Sequence, residues 1–380
     1  MKYFISAGEA SGDLHASQLI LELKKKDKSA QFVFLGGEKM KEAAGVDPLI
    51  DIGAMSIMGF GQVVRRLPKI LGQIELAKKT IAEQCPDALI LVDYPSFNLK
   101  LAAYAHKIGV KVFWYISPKV WVWKEHRVKA MKKYIDRLYC ILPFEVEYFK
   151  KRHGWDVAYV GNPSVEEVEN KKKNIRNLHL KEFLRLNGIP EGKPILALLP
   201  GSRVSEIQSN LPIMVEVAGR MKDYQPVIAA VAGLPKSLYE SYSNDIPLVV
   251  DKTFELLNFS EAALVTSGTA TLETALLRVP QVMLYRHSGS KTIYTLFRRL
   301  LKVDYFSLPN LITGKETIKE HVMHFCTSDA VEKSLLEIIP GGKNHDLQQR
   351  DYDKMSEILG VSNPSVKVAD DIYRTLTDKE

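Results

Sequence analysis

Cysteine is scarce in this sequence and is not arranged as a structural or metal-binding motif. Three cysteines occur in 380 residues, at Cys85, Cys140 and Cys326, with no C-x-x-C pair among them. This spacing argues against a disulfide framework and against a zinc site, so we expect these residues to be buried as small apolar side chains. The nine histidines are scattered, without a ligand spacing such as H-E-x-x-H. We therefore expect no bound metal and no other cofactor.

Long hydrophobic runs are also missing. No stretch approaches the roughly 20 apolar residues that a membrane-spanning helix needs. Met1 leads directly into "KYFISA", without the basic and apolar regions of a secretory signal. These features predict a protein that stays in the cytoplasm.

The composition is that of an ordinary globular protein with an excess of positive charge. Hydrophobic residues make up 46% and charged residues 26% of the chain, which argues against disorder. The net charge of +7 suits an anionic partner, such as nucleic acid, an acidic lipid surface or a phosphorylated substrate. Charge by itself does not choose among these partners.

Short β-rich runs alternate with amphipathic helical stretches along most of the chain. This alternation is typical of α/β folds with parallel sheets and crossover helices. A polar stretch after Gly161 has no apolar strand of its own and is interpreted as a linker. We therefore predict one domain over residues 1–169, a second over 170–345, and helices over 346–380 that cap the second domain or cross back onto the first. Two such sheets in tandem would form a cleft, and open parallel sheets bind ligands at the carboxyl ends of their strands.

The segment "LALLPGSRVSEI" has a strand that ends at Leu199 and a helix that begins after Arg203. Backbone N–H groups at a helix N-terminus, the hydroxyl of Ser202 and the guanidinium of Arg203 together suit a phosphate. An ordinary turn, with Ser202 as the N-cap and Arg203 in solvent, explains the segment equally well.

A second loop in the same predicted domain favours the phosphate interpretation. In "ALVTSGTATLETALL", Ser267, Gly268 and Thr269 open a helix directly after a strand. Glu273 lies one helical turn after Thr269, on the same face, where its carboxylate could accept hydrogen bonds from ribose hydroxyls. A capped helix with a surface glutamate is the alternative. Two such loops in one domain make that alternative weaker.

Two loops of the first predicted domain carry acidic residues. Asp93 ends the strand in "ALILVDYPSFN", at the position of a general base beside a cleft, although aspartate is also a common turn residue.

"GEASGD" follows the first strand, and its carboxylates would repel a phosphate but could accept hydrogen bonds from sugar hydroxyls. A tight turn capped by Ser11 or Asp13 is the alternative. The residues of "GEASGD" that we assign to acceptor binding are Gly8, Glu9, Ser11 and Asp13.

The stretch "VVRRLPKILGQI" combines an apolar stripe with cations, as in a helix that lies on an anionic lipid surface. A helix packed on its own sheet is the usual explanation of such a stripe. The residues that we predict to contact a membrane are Val63, Val64, Leu67, Ile70 and Leu71.

Together these loops resemble one family, lipid-A-disaccharide synthase, an inverting glycosyltransferase of the GT-B type. The matching pieces are "AGEASGD", "SPKVWVW", "LLPGSR", "SGTATLE" and "DYFSLPNLI", in this order over residues 7–312. The resemblance implies two Rossmann-like domains facing across a cleft. It assigns acceptor binding to residues 1–169 and binding of the UDP-sugar to residues 170–345.

The reaction that this resemblance implies joins UDP-2,3-diacylglucosamine to 2,3-diacylglucosamine 1-phosphate. Its products are a β-1,6-linked lipid A disaccharide 1-phosphate and UDP. Asp93 is then the base, and Arg203 the catalytic residue that stabilises the departing UDP. Asn310, in "SLPNL", joins the nucleotide-binding residues by resemblance alone. The protein would work from the cytoplasm, peripherally associated with the inner membrane.

Other functions stay open at this point. A UDP-sugar epimerase, or another glycosyltransferase of the same fold, would have similar nucleotide loops. A non-enzymatic polyanion or RNA binder is supported only by the net charge, and the sequence lacks the aromatic-interleaved basic motifs of RNA modules, so we expect no nucleic-acid partner. A homodimer is compatible with the sequence but is not indicated by it.

Overall fold

The protein is described by a computed structural model that covers residues 1–52, 60–176, 178–243, 245–286, 304–361 and 363–378, with the backbone alone for residues 60–67 and for Asn174. The chain divides into two compact units. Unit 1 comprises residues 1–163 and 361–380, and unit 2 comprises residues 164–360.

Within the described residues, unit 1 contains a seven-stranded parallel sheet in the order β3-β2-β1-β4-β5-β6-β7. Its strands are β1 Lys2–Ala7, β2 Gln31–Gly36, β3 Ile50–Asp51, β4 Ala88–Val92, β5 Lys111–Tyr115, β6 Arg137–Cys140 and β7 Ala158–Tyr159. All five residues of β4, "ALILV", are buried, because helices cover both faces of a parallel sheet. Alternate residues serve two different cores: Ile90 and Val92 belong to one, and Leu89 and Leu91 to the other.

Helices from both ends of the chain cover this sheet. They are α1 Ala10–Lys26, α2 Glu38–Ala44, α3 Phe60–Gln84, α4 Pro95–Lys107, α5 Arg127–Tyr134, α6 Pro143–His153 and, from the C-terminal region, α16 Pro364–Thr377. Val368 and Ile372 of α16 are buried in the same core as Leu19 of α1. The hydroxyl of Tyr139 in β6 also donates to Asp371 at 2.7 Å. Helix α16 is therefore an integral part of unit 1.

Unit 2 contains, in its described part, a six-stranded parallel sheet in the order β10-β9-β8-β11-β12-β13. Its strands are β8 Ile195–Leu199, β9 Gln225–Ala230, β10 Leu248–Val250, β11 Ser260–Thr266, β12 Gln281–Tyr285 and β13 Lys319–Val322. Its helices are α7 Pro163–Asn174, α8 Leu180–Leu186, α9 Val204–Arg220, α10 Lys236–Glu240, α11 Thr253–Asn258, α12 Thr269–Leu276, α13 Leu308–Thr313, α14 Ser328–Ile338 and α15 His345–Leu359. The α/β fold class with parallel sheets is thus confirmed.

The polar stretch interpreted as a linker forms helix α7, whose charged residues pair along the helix, as Lys171 does with Glu167 at 2.8 Å. The division between the two units falls within this stretch, after Pro163. One local expectation was wrong. Cys85 is exposed, whereas Cys140 and Cys326 are buried as expected. Cys85 directly follows the last residue of α3, so it is not part of the helix face that packs against the sheet.

The strand order places functional loops side by side in each unit. In unit 1 the order reverses between β1 and β4, so the loops that follow Ala7 and Val92 leave neighbouring strands. In unit 2 the loops that follow β8 and β11 leave adjacent strands in the same way. Such switch points are where open parallel sheets bind ligands.

Candidate active site

Asp93 lies on a tight turn at the carboxyl end of β4. Asp93 and Tyr94 both have left-handed backbone conformations, with φ of 48° and 47°, which cost conformational energy for residues other than glycine. The buried side chain of Asn98 holds this turn. Its Nδ2 donates to the carbonyl oxygen of Asp93 at 2.7 Å, and its Oδ1 accepts from Ser6 Oγ at 2.7 Å. The sheet and helix α4 thus fix the backbone that carries Asp93.

The surroundings of Asp93 suit a general base. Burial raises the pKa of its carboxyl group, the negative charge of Glu9 raises it further, and the positive charge of Lys119 opposes these effects. Glu9 follows β1 and Lys119 follows β5, the two neighbours of β4 in the sheet. A carboxylate with a raised pKa accepts a proton more readily near neutral pH.

Gly8 and Tyr94 are in close contact across the switch point. A Cβ atom on Gly8 would lie 2.4 Å from Cγ of the Tyr94 ring, so only glycine fits beneath this ring. Glu9 and Ser11, the next two polar residues of "GEASGD", are exposed. Gly8 and Glu9 therefore lie at the edge of the sheet next to Asp93.

The structure gives Asp13 a different role from the one we predicted. Asp13 is buried, and its carboxylate accepts hydrogen bonds from the backbone N–H groups of Gly37, Lys39 and Met40, at 2.6, 3.1 and 3.2 Å. It therefore caps the N-terminus of helix α2. An acceptor sugar would find this carboxylate already occupied, so Asp13 stabilises the fold around the site.

Glu145 is a site residue that the sequence analysis missed. It is buried in the first turn of α6 and accepts hydrogen bonds from the indole nitrogen of Trp121 at 3.0 Å and from the backbone N–H groups of Ile141 and Leu142. Burial raises the pKa of Glu145 to about 7. The glutamate at the third position after Leu142, in "LPFE", is a helix-capping pattern that could have indicated it. Glu145 anchors the loop that carries Lys119 and Trp121.

In unit 2, Arg203 and Ser202 lie at the start of helix α9 as predicted, but their anion-binding groups have an internal partner. The carboxylate of Glu206 accepts from the backbone N–H groups of Ser202 at 3.0 Å and Arg203 at 3.3 Å, and from the Arg203 guanidinium at 2.9 Å. Gly201 is required beneath it, because φ is 109° and a Cβ atom would lie 2.5 Å from Glu206 Oε2. The carboxylate of Glu206 therefore occupies the N-terminus of helix α9, where we predicted a phosphate.

The second nucleotide loop of unit 2 is more open. Gly268 and Thr269 are exposed at the start of α12, while the backbone N–H of Ser267 donates to Leu284. Glu273 is half-buried on this helix. Burial raises the pKa of Glu273 to about 7, with a further contribution from the charge of Glu167 and opposition from Lys171.

Asn310 lies on helix α13, and all of its side-chain hydrogen-bonding groups have partners. Its Nδ2 donates to the carbonyl oxygen of Ile318 and to Glu320, and its Oδ1 accepts from the backbone N–H groups of Thr317 and Ile318, all within 2.9 Å. An amide side chain has two donor hydrogens and two acceptor positions, and all four are used. The predicted direct role in nucleotide binding is therefore replaced by a structural one.

The predicted membrane-contacting stretch is described only in part. The side chains of Val63, Val64 and Leu67 lie outside the described residues. Ile70 packs against the core of unit 1, whereas Leu71 is 44% exposed. In the described chain, no helix is sufficiently long and apolar to span a bilayer. The same part of the chain contains no group of three or more His, Cys, Asp or Glu side chains placed to hold a metal ion.

The two parallel-sheet units and their strand-end loops define the class of protein, an α/β protein with a GT-B-type fold. The chain is similar to the crystal structure of UDP-GlcNAc 2-epimerase from Neisseria meningitidis bound to UDP-GlcNAc, with a TM-score of 0.66 and 13% identity over 100% of both chains. It is also similar to MurG from Acinetobacter baumannii, with a TM-score of 0.55 and 11% identity over 98% of this chain and 99% of that one. At these identities the likeness concerns the fold alone.

Sequence comparison identifies the family within this class. The profile of the lipid-A-disaccharide synthetase family matches residues 3–368. The lipid-A-disaccharide synthase of Myxococcus xanthus is 34% identical over 384 aligned residues, which cover 99% of this chain and 97% of that protein. The chain belongs to the lipid-A-disaccharide synthetase family and is a glycosyltransferase. The resemblance seen in the sequence is confirmed, and family membership argues against the epimerase and the RNA binder.

Proposed function

We propose that this protein transfers 2,3-diacylglucosamine from its UDP derivative to the 6-hydroxyl of 2,3-diacylglucosamine 1-phosphate, forming a β-1,6-linked disaccharide and UDP. The observation that carries this proposal is the family match over residues 3–368. The loops at the strand ends of both units supply chemistry that fits this reaction.

Unit 1 supplies the base. Asp93 takes the proton of the acceptor 6-hydroxyl while that oxygen forms a bond to the anomeric carbon of the donor. The bond from this carbon to the diphosphate breaks in the same step, and its electron pair leaves with UDP. The raised pKa of Asp93 and the rigid turn held by Asn98 support this role. Gly8 and Glu9 lie beside Asp93 and, together with Ser11, contact the acceptor.

Unit 2 binds the leaving group. Arg203, Ser202 and the loop of Ser267, Gly268 and Thr269 bind the diphosphate and stabilise the negative charge that develops on it. The carboxylate of Glu206 has to leave Ser202 and Arg203 before a diphosphate can take its place.

The nucleoside is recognised separately from the diphosphate. Glu273, on helix α12, accepts hydrogen bonds from the ribose hydroxyls in its ionised form. Because Arg203 and the helix N-termini provide the positive charge, we expect no metal to be required.

The enzyme acts at the cytoplasmic face of the inner membrane as a peripheral protein. Support comes from the net charge of +7 and from Leu71 and Leu76, which are exposed on helix α3 beside Lys69. Both proposed substrates are acylated and reside in a membrane. A homodimer is compatible with this arrangement, and sedimentation velocity would measure it.

A direct assay tests the proposal. Purified protein is incubated with both acylated substrates, with and without EDTA, and disaccharide and UDP are quantified by mass spectrometry. We expect stoichiometric disaccharide and UDP, unchanged by EDTA. Conversion of UDP-GlcNAc to its 2-epimer, with no disaccharide formed, would favour the epimerase instead. Cosedimentation with vesicles of phosphatidylglycerol, at low and high salt, tests the membrane association, which added salt should weaken.

A further inference from the structure

Two cations on one turn of unit 1, Lys124 and Arg127, have no anionic partner among the described residues, and Arg127 reaches the helix that follows Asp93. Arg127, the first residue of α5, donates from Nη2 to the Ser96 hydroxyl at 2.9 Å. Ser96 lies in the first turn of α4, three residues after Asp93, which places their Cα atoms within about 10 Å of each other by chain length alone. Lys124, three residues before Arg127, places its Nζ 3.9 Å from the centroid of the Trp123 ring.

The charges of Lys124 and Arg127 are not neutralised among the described residues. No carboxylate of that part of the chain lies within ion-pair distance of either side chain. The nearest acidic residue in sequence, Glu125, pairs with Arg152 at 3.5 Å and with His153 at 3.3 Å. Half-buried cations in this situation are costly, and burial lowers the pKa of both Lys124 and Arg127, with Arg127 lowering that of Lys124 further.

We propose that Lys124, Arg127 and the Ser96 hydroxyl form the binding site for the phosphate monoester of the acceptor sugar. This inference rests on the proposed function. Of the two substrates, only the acceptor carries a phosphate monoester, whose two negative charges match one guanidinium and one ammonium group. In the acceptor, C1, which carries this phosphate, and C5, which carries the reactive 6-hydroxymethyl group, flank the ring oxygen. Binding the phosphate beside Ser96 places the ring over the turn that carries Asp93.

The site also distinguishes acceptor from donor. A donor molecule in the acceptor position would present a diphosphate diester with a nucleoside attached at C1, where the acceptor has a compact terminal phosphate. Trp123, which is 52% exposed, holds the ammonium group of Lys124 against its ring. The cation is therefore fixed in place before the acceptor binds.

Steady-state kinetics with two acceptors test this site. The substitutions are Arg127→Gln, Lys124→Gln and Ser96→Ala, and the matched control is Lys129→Gln, an exposed lysine of the same helix α5. Each enzyme is assayed with diacylglucosamine 1-phosphate and with diacylglucosamine lacking the phosphate. We expect R127Q and K124Q to lose roughly 10- to 100-fold in kcat/KM for the phosphorylated acceptor, the size of one charge-assisted hydrogen bond. The value for the phosphate-free acceptor and the KM for the donor should change less than twofold, and K129Q should match the wild type.

The possible failures are distinguishable. Wild-type enzyme that makes no disaccharide would refute the proposed function itself. An active wild type whose variants lose rate equally with both acceptors, or keep full preference for the phosphorylated one, would overturn the phosphate site. If R127Q loses binding to phosphatidylglycerol vesicles but retains acceptor preference, the anion is a lipid headgroup and the inference is wrong. Because K124Q and R127Q change different elements, misfolding of one, detected by tryptophan fluorescence, leaves the other as the test.

Discussion

The indole nitrogen of Trp121 donates a hydrogen bond to the carboxylate of Glu145 at 3.0 Å, and both side chains are buried. Glu145 Oε2 accepts two backbone N–H groups at the start of α6 as well. This one carboxylate therefore joins the loop after β5 to the helix after β6. The loop carries Lys119 next to Asp93, so Glu145 acts on the site through the backbone.

Replacing Glu145 by glutamine should destabilise unit 1 by about 1 to 3 kcal/mol, because the amide cannot accept all three hydrogen bonds and leaves a buried donor unsatisfied. Thermal unfolding monitored by tryptophan fluorescence is specific for unit 1, since all four tryptophans lie between residues 114 and 155. The matched control is Glu147→Gln, an exposed glutamate of the same helix.

The same substitution has a pH signature. The folded-state pKa of about 7 exceeds the ordinary value of 4.5, so the folded form retains a proton that the unfolded form releases. The stability contributed by Glu145 is therefore present below pH 4.5 and is lost as pH rises through 7. The difference between wild type and E145Q should be largest at pH 4.5 and below, and should shrink as pH rises through 7. A difference that does not vary with pH would contradict a buried, protonated Glu145.

Asp93→Asn should retain the fold and the affinity for UDP but lose most turnover, because a general base contributes typically ~10² to 10⁴ in rate. The rate is measured with saturating substrates, and UDP binding by calorimetry. Asp47→Asn, at an exposed residue paired only with Lys41 among the described side chains, is the control. Turnover of D93N within a few-fold of wild type would exclude Asp93 as the base.

Arg203 and Glu206 should have opposite effects on UDP binding. Arg203→Ala removes a phosphate ligand and should weaken binding by up to roughly 10- to 100-fold, less if solvent screens this 64% exposed side chain. Glu206→Gln removes the internal anion that competes for the same N–H groups, so UDP should bind at least as tightly as to wild type. Calorimetric titration measures both. Weaker UDP binding by E206Q would show that Glu206 assists the diphosphate.

Glu273 makes nucleotide binding depend on pH. Because burial raises its pKa to about 7, the carboxylate becomes protonated as pH falls from 8 to 6 and accepts ribose hydrogen bonds less well. Affinity for the UDP-sugar donor should fall over this range, and Glu273→Gln should bind more weakly at pH 8 with a flatter profile. If E273Q keeps the pH dependence of the wild type, another group is responsible.

Gly8→Ala tests the contact with Tyr94. The added methyl group would lie 2.4 to 2.8 Å from three atoms of the ring, so the ring must move, and the turn of Asp93 with it. We expect a large loss of turnover and a lower melting temperature. Gly72→Ala is the control, because a Cβ atom there meets nothing within 4 Å and alanine favours the helix α3. Full activity of G8A would mean that Tyr94 moves without disturbing Asp93.

Local patterns predicted the parts of the site that depend on local structure. The strands ending at Val92, Leu199 and Thr266 were visible as apolar runs that stop at polar residues, and parallel sheets place such ends at one edge. The loops of Asp93, Ser202 and Ser267 follow from this rule. Their family resemblance then indicated the chemistry.

Hydrogen bonds between distant segments could not be predicted in this way. Asp13 caps a helix that begins 25 residues later, and Asn310, on helix α13, bonds to residues 317–320, which lead into β13. The hydrogen-bond partner of Glu145, Trp121, comes from the loop after β5. For each of these residues the polar side chain was evident in the sequence, but its partner depends on how the elements pack.

Helix α16 makes the order of synthesis matter for this enzyme. Its residues Val368, Ala369 and Ile372 complete the core formed by the first strands and α1, so the unit that begins at the N-terminus cannot close until residues near 372 have left the ribosome. Unit 2 lies wholly between these parts and can fold earlier. During translation the apolar surface of α1 that α16 later covers is exposed, and chaperones could bind to it. A chain that ends after Gly360 and has been released from the ribosome should therefore contain a folded second unit and an incomplete first one.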